Sequence, residues 1–322
     1  MTTVAVRGHG ELTLPPVLLT NLRAVHGDRF EPWLVGLGPM LAGALGELDA
    51  RIVPTDLDLS YHLVLFARRA GGEDIVVKCT VPNAEQPPEV AGVEALSAAG
   101  IGPRLLWKDL ERGVFAMERI VPGERLPTHI PTLEEDAKII ATIGDIAARM
   151  SRKTDITRYA GRLVTVRDYT RALDTYDPHS QLWQNHRDEI ARARALRDAM
   201  LSPPDRRDTF VHGDLHHYNL LVDAMGEPKV IDPKGLVGPA GYDFGVMSYN
   251  PMGIQRHPDL AALFRERVTV WSEAVGLPWG EVRDWGYVGA MVSACWESEG
   301  GAQGWQDALL SAVTIRELTQ PS

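Results

Sequence analysis

Apolar residues recur at helical spacing in the first part of the chain. Between Pro15 and Leu48 they lie three or four positions apart, which is the period of one helix face. These positions are Leu18, Leu22, Val25, Trp33, Leu34, Leu37, Met40, Leu41 and Leu45. We therefore expect helix over this stretch.

After residue 50 the apolar pattern shortens to a period of two, which is typical of strands. Three such segments follow one another, Arg51–Val53, Leu63–Ala67 and Asp74–Lys78. The sequence Ala-Gly-Gly-Glu at 70–73 predicts the turn between the last two. Another strand is expected at Val114–Met117.

A helix is predicted between these strands, from Glu89 to Ala99. Val93 and Leu96 share its inward face, and the glycine at position 100 ends it. Pro122 and the glycine that follows it interrupt the chain after the last strand. We interpret this break as the link between two lobes.

Beyond the break, helical spacing dominates and strands are short. The expected helical stretches are Leu133–Met150, Tyr169–Met200 and Leu260–Leu318, and the expected strands are Phe210–Val211, Leu220–Val222 and Lys229–Ile231. The polar residues of the second stretch are interpreted as a solvated face; they are Arg187, Asp188, Glu189, Arg192, Arg194 and Arg197. The order predicts an α+β fold with two lobes, a strand-rich one over 1–120 and a larger helical one over 121–322.

Composition narrows the function classes. Of the 322 residues 44% are hydrophobic and 24% charged, which is typical of a soluble globular protein. The 43 acidic and 33 basic residues give a formal charge of −10, which disfavours a nucleic-acid partner. No apolar run is long enough to span a membrane, and Met1–Gly10 has no signal-peptide core. The two cysteines, too few for a disulfide framework, indicate a reducing cytoplasm.

The most informative segment is His-Gly-Asp-Leu-His-His-Tyr-Asn at 212–219, followed by Ile-Asp-Pro-Lys-Gly at 231–235. Asn219 lies five positions after Asp214, and Asp232 lies thirteen positions further on. Protein kinases use this order of a base, an asparagine and a metal-binding aspartate. A carboxylate can accept the proton of an attacking hydroxyl, and an amide with a second carboxylate suits Mg²⁺.

Two other interpretations of this segment exist. Asp and Asn are common in turns, so the residues can be incidental to a hairpin. His212 and His216 can also form a metal site, but a pair four apart faces one ion only on a helix. The glycine between them and the flanking strands favour a loop.

A kinase also needs a lysine near the nucleotide phosphates. Lys78 ends a predicted strand, and Glu89 opens the following helix on the same face as its core residues. Glu94 is the second choice for this pairing. The chain has no G-x-x-x-x-G-K-[ST] loop, and the segment 56–62 contains no glycine. Ser60 in that segment is the candidate phosphate contact.

These motifs resemble the aminoglycoside phosphotransferase family, and within it the streptomycin and hydroxyurea phosphotransferases. The resemblance covers about Leu18 to Gly301. Its further elements are His26-Gly27, Trp33-Leu34, Leu59-Ser60-Tyr61, Val76-Val77-Lys78, Tyr242-Asp243 and Cys295-Trp296-Glu297-Ser298-Glu299-Gly300. Members of this family share the two-lobed protein-kinase-like fold.

The resemblance implies a role for each matched residue. Asp214 would be the base, Asn219 and Asp232 would hold Mg²⁺, and Asp243 would tie the catalytic hairpin to the next helix. The expected nucleotide contacts are Ser60, Lys78 with Glu89, and the backbone of Glu118 and Ile120. The expected substrate contacts are His216, Lys234, Trp296, Glu297 and Glu299.

The sequence thus predicts a cytoplasmic, ATP- and Mg²⁺-dependent kinase of a small polar molecule. A carboxylate pair beside an aromatic ring suits a cationic or polyhydroxylated acceptor. Streptomycin, hydroxyurea, an amino sugar and another metabolite all remain open as acceptors, and antibiotic resistance is one possible role. The alternatives are a catalytically silent kinase-like binding protein and a metal hydrolase built on the two histidines.

Overall fold

The computed structural model describes residues 2–54, 59, 61–130, 132–175, 179–299 and 304–321. Its strands are β1 Thr2–Val6, β2 Gly10–Leu14, β3 Ala50–Val53, β4 Leu63–Arg69, β5 Asp74–Cys79, β6 Leu105–Asp109, β7 Val114–Glu118, β8 Pro122–Arg125, β9 Val164–Thr165, β10 Thr209–Val211, β11 Leu220–Asp223, β12 Pro228–Val230 and β13 Leu236–Gly238.

The α-helices are α1 Pro16–His26, α2 Phe30–Glu47, α3 Gln86–Ala98, α4 Leu133–Lys153, α5 Val166–Tyr169, α6 Gln181–Leu201, α7 Leu260–Val275, α8 Trp279–Glu299 and α9 Trp305–Arg316. Short 3₁₀-helices cover Gly27–Arg29, Ile156–Tyr159, Arg171–Leu173, His217–Asn219, Ala240–Ser248 and Ile254–Arg256. The chain forms two compact units, one of Met1–Val90 with Pro103–Val121 and one of Ala91–Gly102 with Pro122–Ser322.

The first unit is built on one antiparallel sheet with the strand order β3-β4-β5-β7-β6. The β1–β2 hairpin, α1 and α2 share a hydrophobic core with this sheet; its fully buried members include Leu37, Leu41, Ile75 and Val77. The helical stretch predicted over 15–48 is two helices, because Gly27 adopts a φ of 53° that ends α1. The structure also adds β1, β2 and β6, which were not predicted.

Helix α3 begins three residues before the predicted start at Glu89. Its first turn contains two prolines, which are tolerated there because a helix makes no internal bond with its first N–H groups. Val93 and Leu96 are buried, as the spacing predicted.

The second unit is mainly helical and contains two small sheets. In one, β11 pairs with β12 and β8; in the other, β13 pairs with β10 and β9. A continuous core joins α4 and α6–α9; its large fully buried members include Phe210, Phe244, Trp271 and Trp285. Strands thus dominate the first unit and helices the second, which confirms the predicted α+β class.

The polar residues of α6 do not all face solvent, so that prediction was partly wrong. Arg197 is 1% exposed, and its guanidinium contacts the Asp174 carboxylate at 2.7 and 2.8 Å. Glu189 accepts a hydrogen bond of 2.8 Å from the Tyr287 hydroxyl and pairs with Arg316. Charged side chains at helical spacing indicate a solvated face only when no polar partner from another part of the chain forms an ion pair or hydrogen bond with them. Of the helices in the described ranges, none is long and apolar enough to cross a membrane.

Candidate active site

The loop between β10 and β11 contains the candidate base Asp214. Two backbone hydrogen bonds join it to the segment after β12: the Ile231 N–H donates to the Asn219 carbonyl at 3.0 Å, and the Lys234 N–H donates to the His212 carbonyl at 2.7 Å. The two predicted motifs are therefore neighbours in space. Backbone pairing of this kind fixes the loop on rigid strands.

Asp243 fastens the same loop from the 3₁₀-helix Ala240–Ser248. Its carboxylate oxygens accept the backbone N–H groups of His212 and Gly213 at 3.0 and 2.8 Å. Burial raises the pKa of Asp243 to about 7, although both hydrogen bonds act to lower it. The contact agrees with the structural role that the resemblance implies.

His212 supports the loop with both ring nitrogens. Its side chain is buried, Nε2 lies 2.9 Å from the Ile231 carbonyl, and Nδ1 accepts the Asp214 N–H at 3.2 Å. Burial lowers the pKa of His212 to about 4, so the ring is neutral. Neither nitrogen is left for a metal ion. Within the described ranges there is also no group of three or more His, Cys, Asp or Glu arranged for one, so nothing in this part of the chain supports the metal-hydrolase hypothesis.

Asp214 is held by His216 and Asn219 of the same loop. His216 Nε2 lies 3.2 Å from Oδ1, and the Asn219 amide nitrogen lies 3.3 Å from Oδ2 and 2.9 Å from the Asp214 carbonyl. Since His216 Nδ1 accepts the Tyr218 N–H at 3.2 Å, Nε2 carries the hydrogen and donates it to Asp214. Burial acts to raise the pKa of Asp214, but the hydrogen bond from His216 and the nearby charge of Lys234 hold this pKa well below its usual range. Asp214 is an ionised, fixed carboxylate at neutral pH.

Asn219 and Asp232 offer oxygen ligands of the kind that Mg²⁺ prefers. Because the Asn219 nitrogen is directed at Asp214, its amide oxygen is the atom left to bind a cation. Asp232 has a φ of 57°, a left-handed conformation that is uncommon for non-glycine residues and that aspartate adopts more readily than most. The oxygen chemistry of the two side chains, and the amide oxygen that Asn219 leaves available, therefore fit a magnesium ion.

In the first unit, Lys78 on β5 and Glu89 on α3 form a buried ion pair. Lys78 Nζ lies 2.5 Å from Glu89 Oε1, and the two side chains are 4% and 11% exposed. The second choice, Glu94, pairs with Arg162 at 2.6 Å in the second unit. The structure thus contains the pairing that the sequence favoured.

The predicted adenine contacts lie at the end of β7 and just after it. The Glu118 N–H donates to the Arg104 carbonyl at 2.9 Å, so it is already used within the protein. The Glu118 carboxylate also turns to Arg104, at 3.3 Å. Ile120 is buried. Ser60 lies outside the described residues.

The predicted acceptor residues fall into two groups in the second unit. His216 and Lys234 lie beside the base, as described above. Trp296 lies near the end of α8, is 37% exposed, and contacts the Tyr169 ring edge-to-face at 5.2 Å. Glu297 is exposed. The side chain of Glu299 lies outside the described part of the chain.

Tyr249 is a candidate site residue that the sequence reasoning missed. It follows the 3₁₀-helix that contains Asp243. Burial raises the pKa of Tyr249 most, and the negative charges of Asp214 and Glu297 raise it further. The phenol therefore lies within electrostatic reach of both the base and the acceptor group of α8. Neither apolar spacing nor a motif marks this tyrosine, because the charges near it belong to residues far away in the sequence.

Comparison with known proteins identifies the family of this chain. Residues 55–301 match the model of the aminoglycoside/hydroxyurea antibiotic resistance kinases. A streptomycin 6-kinase of Streptomyces glaucescens is 23% identical, over 94% of this chain and 96% of that protein. A hydroxyurea phosphotransferase of Kitasatospora aureofaciens is 28% identical, over 83% of this chain and 74% of that protein.

Solved structures share the fold at lower identity. Amicoumacin kinase hAmiN, in complex with AMP-PNP, Ca²⁺ and Ami, matches with a TM-score of 0.61 and 15% identity, over 92% of this chain and 95% of that chain. Choline kinase LicA of Streptococcus pneumoniae matches with a TM-score of 0.57 and 11% identity, over 88% and 99%. These likenesses confirm the kinase-like fold predicted from the sequence. Because the family model matches residues 55–301, which are most of the chain, the protein belongs to the aminoglycoside/hydroxyurea antibiotic resistance kinase family.

Proposed function

We propose that the protein transfers the γ-phosphoryl group of ATP, with Mg²⁺, to a hydroxyl of a small cationic or polyhydroxylated molecule. The observation that carries this proposal is the fixed Asp214 carboxylate, bonded to Asn219 and His216 in a loop that adjoins Asp232. Family membership supports the same reaction class. A cytoplasmic location, where ATP is supplied, is part of the proposal.

On this proposal residues 1–120 bind the nucleotide and residues 121–322 bind the acceptor. Lys78 contacts the α- and β-phosphates, and its buried pairing with Glu89 keeps the ammonium in place. Ser60, Glu118 and Ile120 complete the nucleotide contacts. Since the Glu118 N–H is used by Arg104, its carbonyl oxygen is the group proposed to meet the adenine amino group.

Asn219 and Asp232 are proposed to hold Mg²⁺. When bound, this ion neutralises charge on the phosphate oxygens. The Asn219 nitrogen also donates hydrogen bonds to Asp214, and these bonds couple the orientation of the metal ligand to that of the base.

Asp214 orients the acceptor hydroxyl and accepts its proton. The hydroxyl oxygen forms its bond to phosphorus, ADP leaves with the electron pair of the broken bond, and the proton passes from Asp214 to solvent. Because its pKa is held below the usual carboxylate range, Asp214 is ionised and can orient the hydroxyl before it accepts the proton. His216 contributes by fixing Oδ1.

The acceptor is proposed to lie against Trp296, with Glu297 and Glu299 facing its cationic groups and His216 and Lys234 beside the reacting oxygen. Two of the relatives are named for streptomycin and hydroxyurea. We propose an aminocyclitol of the streptomycin type first, in a resistance role, and an amino sugar as the next candidate.

Thermal unfolding with ATP and Mg²⁺ tests the nucleotide and metal part. Ligand at 100 times its Kd adds about 2.7 kcal/mol to the free energy of unfolding, so the wild type should melt several degrees higher with both ligands than with ATP alone. Asp232→Ala should lose the magnesium-dependent part of this shift. Asp188→Ala, which changes an exposed aspartate of α6, should retain it.

A wild-type protein whose melting temperature does not respond to Mg²⁺ in the presence of ATP would contradict the proposal. A magnesium-dependent shift without ADP release on any acceptor would instead support the silent binding protein. The two measurements together separate these functions.

A further inference from the structure

Gly304 precedes α9, and its backbone does not require glycine. Its φ and ψ are −76° and −17°, in the ordinary right-handed helical region that any L-residue adopts. Glycine loses more conformational freedom on folding than other residues, so a residue with a side chain would be more stable here if the side chain had room.

A side chain at Gly304 would contact the side chain of Glu297 on α8. A Cβ built there lies 3.0 Å from Glu297 Oε2, 3.4 Å from Cδ and 3.7 Å from Cγ. These three nearest atoms all belong to one side chain. An ordinary van der Waals contact needs a larger separation, so alanine would displace the Glu297 carboxylate by a few tenths of an ångström or more.

The carboxylate is also in a favourable electrostatic position. Gly304 is the N-cap of the 12-residue helix α9 and provides no side-chain cap. The positive end of a helix dipole favours an anion near its first turn. Trp296, the residue before Glu297 on α8, contacts the Tyr169 ring edge-to-face.

We propose that Gly304 is a specificity-determining position, which acts through Glu297. The missing side chain lets the carboxylate lie against the first turn of α9, and this sets its direction towards a cationic group of the acceptor. The inference rests on the proposed function, since it assigns the direction of a charge in the proposed acceptor pocket. Gly304 is a positioning residue and touches no substrate itself.

The test compares Gly304→Ala with Gly280→Ala in a coupled ADP-release assay. Gly280 lies on α8, where an added Cβ meets no atom within 4 Å, so it is a matched control. Streptomycin, glucosamine and ethanolamine serve as cationic acceptors. We expect Gly304→Ala to raise the KM for the acceptor about 2- to 5-fold, the range of a misplaced exposed charge, and to leave kcat and the KM for ATP within about 1.5-fold. Gly280→Ala should leave all three constants unchanged.

A double-mutant cycle separates this role from a general structural one. In the Glu297→Gln background, Gly304→Ala should have no further effect on KM, because the charge that it displaces is already absent. An unchanged KM in Gly304→Ala, or an equal rise in the Glu297→Gln background, overturns the inference while the proposed kinase function stands. A wild type that turns over none of the three acceptors overturns the cationic acceptor and the inference with it.

Discussion

Gly213 shows at the level of one residue why the candidate base needs the glycine before it. Its φ is 81°, and a Cβ there would lie 2.6 Å from Leu236 Cδ1 and 2.9 Å from Cγ. Its N–H is also one of the two that Asp243 accepts. The residue is therefore constrained by backbone conformation and by packing at once.

Gly226 allows the two constraints to be measured separately. It has a φ of 77° in the β11–β12 turn, but no atom lies within 4 Å of its Cβ position. We expect Gly226→Ala to lower the free energy of unfolding by about 1–2 kcal/mol, the cost of the left-handed conformation. Gly213→Ala should add about 1–3 kcal/mol of overpacking. Urea unfolding of the two variants measures this difference, and equal losses would show that Leu236 imposes no packing constraint.

At the scale of elements, the sequence predicted the parts of the site that are local. The β11–β12 hairpin and the motif on either side of it are contiguous, so spacing and turn chemistry located Asn219 and Asp232. The 3₁₀-helix Ala240–Ser248 and the pairing of β10 with β13 were not predicted. Strands of three residues carry too little periodicity, and their stability comes from partners that lie far away in the sequence.

Asp243 links two of these elements, and its substitution tests that link. In Asp243 each carboxylate oxygen accepts one backbone N–H group. Asp243→Asn keeps the shape of the side chain, but its amide nitrogen replaces one of these acceptors and leaves one N–H donor without a partner. We expect a loss of about 1–3 kcal/mol in the free energy of unfolding and a clear fall in kcat. In the control Asp223→Asn the oxygen Oδ1 accepts both N–H groups, at 2.9 Å each, so asparagine can replace it at little cost. Similar losses in both variants would contradict the proposed link.

At the scale of the whole molecule, the resemblance along most of the chain predicted the family and the fold. The surroundings of Trp296 and Glu297 on α8 could not be predicted, because Tyr169 and Tyr249 come from two distant segments. No sequence period relates them to Trp296 or Glu297. Their relation depends on how the helices of the second unit pack.

The net charge of −10 leads to a prediction for the whole protein. An acidic protein attracts a cationic acceptor over a distance that added salt shortens, from about 20 Å or more at low salt to a few ångströms near 1 M. With streptomycin as acceptor we expect kcat/KM to fall about 3- to 10-fold between about 20 and 300 mM KCl, and kcat to stay nearly constant. A kcat/KM that does not depend on salt would argue that the negative charge is only a solubility surface.

Acceptor-dependent ADP release by the wild type and Asp214→Ala is the most direct test of the kinase account. The acceptors are aminoglycosides including streptomycin, amino sugars, hydroxyurea and small metabolites. As a control, the magnesium-dependent thermal shift with ATP shows whether the Asp214→Ala variant remains folded. We predict that the wild type releases ADP with at least one acceptor, and that Asp214→Ala loses about 10²- to 10⁴-fold of that rate, the usual contribution of a catalytic base. A folded Asp214→Ala variant that retains the wild-type rate would show that Asp214 is not the base.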